Sequence, residues 1–112
     1  MTVNRSELTL LEDCEDDWRG LWEAVWMEPN EPVEQRAALV TGLVRRGLLD
    51  VLRVNEWDEV RSAAAPPLPR EEAVTVVQNV KNYEAPPEGD VGHFYVLSLT
   101  TEGEAAQKAC YS

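Results

Sequence analysis

Two short segments constrain this chain more than anything else in it. In the first, Leu43-Val44-Arg45-Arg46-Gly47-Leu48-Leu49, a basic turn meets a glycine and then runs into the largely alternating stretch Leu49 to Val54. In the second, the apolar run Phe94 to Leu99 meets Thr100-Thr101-Glu102-Gly103. Each reads as a junction. Arg45 and Arg46 suit the negative end of a helix dipole. Gly47 suits the left-handed position just past the helix, with Leu48 packing back over the last turn. Residues 49–54 then read as a half-buried strand. In the second segment a returning strand ends at Thr100, which caps a new helix with Glu102 in its first turn.

Further elements fit around these junctions. Residues 1–13 read as a short helix or an arm laid on the core. Residues 12–17 carry five acids in six positions, and acids suit a helix N-terminus. They precede Trp18, Leu21, Trp22, Val25 and Trp26, whose spacing predicts one amphipathic helix ended by Pro29. Asn30 then offers a cap, and Pro32 a first-turn residue, for a helix whose buried stripe is Val33, Ala37, Val40, Leu43 and Val44. Residues 55–68 read as a loop. Residues 69–81 open with Pro-Arg-Glu-Glu, which favours a helix, while their valines keep a strand open. Asn82 to Gly92 reads as a loop. The expected fold class is α+β: about four helices with a small antiparallel hairpin or sheet, in one domain over 1–112, with 1–12 a candidate mobile arm.

Leu43 to Leu52 and Phe94 to Gly103 together resemble the back half of a winged-helix domain. In such transcription regulators a recognition helix ends in a pattern like Leu-x-x-x-Gly-Leu-Leu. A wing follows, and its second strand enters Leu-Thr-x-Glu-Gly. The resemblance covers about half of the chain. It implies a winged-helix-like scaffold and, as one function, DNA reading through Arg36, Arg45, Arg46 and Arg53. Two departures stand beside it. Only Glu28 to Glu31 separate the expected Trp helix from the arginine helix, leaving no positioning helix. The segment between the two strands is long and net acidic, where a DNA-reading wing is short and basic.

Charge points away from nucleic acid. The chain carries 21 acids against 10 bases, a net charge of −11. Residues 1–34 hold ten acids and two arginines, a balance of −8. Residues 35–53 hold Arg36, Arg45, Arg46 and Arg53 against Asp50, a balance of +3, and residues 54–112 return to −6. Phosphate backbones are met by lysine and arginine. An acidic surface instead draws basic proteins and speeds their encounter.

The residues of chemistry are few. His93 is the single histidine, so no multi-histidine metal site can form; between Gly92 and a strand it reads as structural or exposed, and no Ser-His-Asp arrangement is expected around it. Asp13, Glu15, Asp16 and Asp17 lack the glycine and distant glutamate of a calcium loop. Cys14 and Cys110 read as free thiols of a reducing cytoplasm. Neither a secretory leader nor a membrane-spanning stretch is expected. No cofactor, metal or enzymatic activity is expected. The favoured reading is an acidic protein-interaction module, in its sharpest form an immunity- or antitoxin-type inhibitor that masks a basic partner. Asp13, Glu15, Asp16 and Asp17 would steer that partner, and Trp18, Trp22 and Trp26 would anchor it, unless the tryptophans are core. The alternatives are the DNA-binding regulator and a homodimeric accessory domain paired through the tryptophan stripe.

Overall fold

The computed structural model describes residues 3–15, 19–54, 66–84 and 94–110. In chain order the elements are α1 (Arg5–Glu15), β1 (Arg19–Gly20), α2 (Glu23–Trp26), α3 (Val33–Arg45), β2 (Leu49–Val54), α4 (Arg70–Gln78), a 3₁₀ helix (Val80–Tyr83), β3 (Phe94–Leu99) and α5 (Thr101–Ala109). The class is α+β, as expected. Among the described residues there are five α-helices and one antiparallel sheet of order β1-β3-β2. None of the helices is long and apolar enough to cross a membrane.

The alternation of β2 and β3 gives the sheet two buried faces. Leu49 pairs with Leu99 and Val51 with Leu97, and these side chains join the main core of Leu10, Leu11, Leu21, Val40, Leu43, Val44 and Val77. Leu52 pairs with Val96 and Val54 with Phe94. They point the other way, into a second cluster closed by Trp22. The chain therefore needs a cover on each side of the sheet: helices on one, Trp22 on the other.

That requirement breaks the expected tryptophan helix. Arg19 and Gly20 pair with Leu97 and Val96 of β3, and the Leu21 N–H donates to the Tyr95 carbonyl at 2.9 Å. Leu21 then turns to one core and Trp22 to the other, so only Glu23–Trp26 remains helical. Apolar spacing alone reads both as one stripe, because it does not register which side of a sheet each residue covers. Gly20 fits because the Trp22 ring lies where its Cβ would be. The short α2 is what remains of that helix, directly before α3.

The acidic run is displaced as well. α1 starts at Arg5, with a reciprocal cap: the Asn4 N–H donates to Glu7 Oε1 and the Glu7 N–H to Asn4 Oδ1, both at 2.8 Å. Glu12, Asp13 and Glu15 therefore lie in the last turns of α1, the unfavourable end of its dipole, and not at a helix start. α1 buries Leu10, Leu11 and Cys14. It is the helical alternative for the N-terminal segment. α3 starts after Pro32, whose carbonyl accepts from Gln35 and Arg36, so Asn30 is not its cap. Residues 70–78 are helical, which resolves the valine-rich segment. Asn82 and Tyr83, expected in a loop, belong to the 3₁₀ helix, and the Tyr83 hydroxyl donates to the Val77 carbonyl at 2.8 Å.

The two junctions that open the sequence reading meet in space. Gly47 has φ 75°. Its N–H donates to the Val44 carbonyl at 3.0 Å, and the Leu48 N–H to the Leu43 carbonyl at 3.0 Å, the double bond of a Schellman end. The Thr100 hydroxyl donates to the Gly47 carbonyl at 2.6 Å and accepts from the Gly103 N–H at 2.9 Å. The Thr100 N–H donates to the Leu48 carbonyl at 3.2 Å. One hydroxyl thus caps α5 and ties its start to the end of α3. Thr100→Val keeps the shape and removes both bonds. We expect it to lower unfolding free energy by about 1–2 kcal/mol, read from urea midpoints.

Candidate interaction surface

The candidate residues separate into buried, tied and exposed groups. Trp22 is only 6 % exposed. Its ring meets Phe94 edge-on at 5.7 Å between centroids. It is core, not an anchor. Trp26 is 61 % exposed, the only large hydrophobic so exposed among the described residues. Its ring leans edge-on against Trp22 at 6.5 Å. A tryptophan braced by a buried tryptophan is held in place before any partner arrives, which lowers the entropy cost of using it as a contact. Trp18, Asp16 and Asp17 lie outside the described residues, as does His93.

The steering acids of the sequence reading are partly engaged. Asp13 pairs with Arg19 at 3.1 Å, and the Arg19 guanidinium also donates to the Asp13 carbonyl at 3.0 Å. Glu15 accepts from Gln107 of α5 at 2.7 Å. Glu23 pairs with Arg19 at 3.6 Å and accepts from the Gly20 N–H. These carboxylates fix the turn around β1. Glu12 and Glu28 are exposed, and neither forms an ion pair among the described residues. Glu28 follows Trp26 by two residues in sequence.

The arginines offered for DNA divide more sharply. Arg36 is 1 % exposed. Its Nε donates to the Ala24 carbonyl at 2.8 Å, and Nη1 meets Glu31 at 3.3 Å. It joins α3 to α2 and cannot reach a phosphate. Arg46 meets Glu7 at 2.6 Å, tying the end of α3 to the start of α1. Arg45 and Arg53 are exposed. The 12 residues of sequence spacing between Ala24 and Arg36 gave no warning of that bond. A signal was nonetheless present: Arg36 falls three residues after Val33 and four before Val40, on the apolar stripe.

The described residues contain no group of three or more histidine, cysteine, aspartate or glutamate side chains placed to hold a metal ion. Asp50 lines a pocket of about 190 Å³ with Arg70. Burial and the nearby Glu102 raise its pKa, and Arg70 opposes them. Burial pushes the Cys14 thiol from 9.0 up to about 12, with Asp13 adding to the rise. Cys110 is exposed.

No family model matches the chain, and neither a curated protein nor a solved structure gives a match. The surface must speak from its own chemistry.

Cys14 gives a direct check on the packing of α1 beneath that surface. At pH 8 a thiol reagent should label one cysteine, Cys110, in the native protein and both after unfolding. The sign with pH follows from the raised pKa. The folded state holds the proton more tightly, so Cys14 contributes stability that is complete below pH 9 and is lost as pH rises towards 12. Cys14→Ser should flatten that alkaline fall, measured by urea unfolding at a series of pH values.

Proposed function

We propose that this chain is an acidic protein-interaction module that binds a basic partner, in the manner of an inhibitor that masks a cationic protein. The observation that carries the reading is Trp26, exposed yet braced on Trp22, in the third of the chain with a charge balance of −8. Tryptophan is enriched at the energetic centres of interfaces, while surrounding charge sets the encounter rate and the choice of partner. Of the other expected anchors, Trp22 is core and Trp18 lies outside the described residues. Glu12 and Glu28 join the exposed Glu15 as accessible steering charges, while Asp13 is held by Arg19.

The scaffold we read as winged-helix-like. The order helix, short strand, two helices and strand, with sheet order β1-β3-β2, supports that reading, as does the bond of Thr100 to Gly47, although α4 and the 3₁₀ helix stand between β2 and the returning strand β3. The same scaffold supports the DNA-reading alternative less well. Of its four arginines, Arg36 is buried and Arg46 is bonded to Glu7. α4 packs against α3, the helix that would have to enter a groove. Affinity for duplex would then rest on Arg45 and Arg53 against a net charge of −11.

Two titrations test the proposal. Glu12→Lys combined with Glu28→Lys should weaken binding of the basic partner at low salt and flatten its salt dependence. Unchanged binding would remove the steering role. A fluorescent duplex at about 50 mM salt should remain unbound; tight binding that falls steeply with salt would return the protein to the DNA-reading class.

A further inference from the structure

α3 has a second face at the edge of the core, where Ala37 and Thr41 are buried and Ala38 is exposed. Glu34, Ala37, Ala38, Thr41, Gly42 and Arg45 line a groove of about 380 Å³, bounded on one side by Gln78 and Val80. Its middle is small and its ends are charged. Glu34 and Arg45 are exposed, and neither forms an ion pair among the described residues.

Gly42 is an independent sign. Glycine inside a helix is less favourable than alanine, so it calls for a reason. Among the described residues there is none: a Cβ on Gly42 would meet nothing within 4 Å, and its backbone is ordinary helix. Gly103 and Gly20 are different, because each lacks a side chain where a neighbour occupies the space. The missing side chain of Gly42 leaves room for a close approach to this face, and helix axes approach more closely where contact residues are small.

The charge pattern names the occupant. Glu34 and Arg45 stand about 16 Å apart along the helix, at ~1.5 Å per residue. A rod that is negative at one end, small in the middle and positive at the other complements itself when turned antiparallel. Each Glu34 then faces the second copy's Arg45, twice, about a twofold axis. Elsewhere the copies repel, since the chain is strongly acidic.

We propose that this protein pairs with a second copy through the outer face of α3, packed antiparallel across Ala38 and Gly42. This goes beyond the partner-binding reading and makes no use of Trp26.

Sedimentation velocity at low salt, from micromolar to millimolar protein, tests it. The wild type should pass from monomer to dimer. Glu34→Arg alone and Arg45→Glu alone place like charges together, and each should weaken the dimer at least about tenfold. The double swap Glu34→Arg with Arg45→Glu should restore it, because only an antiparallel pairing regains both contacts. Gly42→Gln should also weaken the dimer, while raising the melting temperature of the dilute monomer by a few degrees. The proposal is overturned by a wild type that stays monomeric throughout, by a double swap that does not recover, or by Gly42→Gln pairing as well as wild type. A dimer dissolved by Trp26→Ala and indifferent to the charge swap would also overturn it, placing the contact on the Trp26 face.

Discussion

Gly103→Ala should lower unfolding free energy by about 3 kcal/mol, the upper end of the usual range for overpacking. A Cβ at Gly103 would overlap the Leu48 carbonyl oxygen and crowd Leu99. The first obstacle is backbone, which cannot rotate aside as a side chain can. That carbonyl also accepts from the Thr100 N–H, so pushing it away strains the link between α3 and α5. Urea unfolding followed by circular dichroism reads the loss as a shifted midpoint at unchanged slope. A change under about 0.5 kcal/mol, the size of an ordinary surface substitution, would show that α5 does not sit against Leu48 as described.

Arg36→Met should cost about 2 kcal/mol, and Arg45→Met in the dilute monomer less than about 0.5 kcal/mol. Methionine keeps much of the arginine stem but donates nothing. The Ala24 carbonyl would lose its donor at 2.8 Å. Glu31 would lose its partner too, although its side chain is 29 % exposed and water can take over. Among the described residues Arg45 makes no such bond. The pair of variants separates two accounts of the arginine helix. If it exists to meet phosphate, Arg36 and Arg45 should affect duplex binding alike and stability little. If Arg36 holds α2 to α3, stability falls at one position only, and the urea midpoints report it.

The contrast between these arginines shows what the sequence could tell. Gly47 and Thr100 were legible because their signals are local: a left-handed residue after a helix and a hydroxyl before one follow from backbone geometry alone. Their direct bond was foreshadowed only by the resemblance that paired the two segments. The α+β class followed from the alternation in β2 and the apolar run of β3 beside the helical stripe of α3. The tryptophan helix was misread because β1 is only two residues long and exists through pairing with residues far along the chain. No window centred on Trp18 to Trp26 contains that partner. The acids at 12–15 were placed at the wrong end of a helix because the cap that starts α1, Asn4 with Glu7, precedes them by a full helix length. The exposure of Trp26 was one of two readings offered for the tryptophans. Choosing between them required knowing that Trp22 already closes the second face of the sheet.

Trp26 carries the functional account, so the most direct test removes it. Wild type and Trp26→Ala, immobilised side by side, would be exposed to lysate of the source organism at low and high salt, with bound protein and nucleic acid both identified. The account predicts a basic protein retained by the wild type, released by salt and lost with Trp26→Ala, with both proteins equally folded by circular dichroism. Retention of DNA, or equal capture of the same protein by Trp26→Ala, would contradict it.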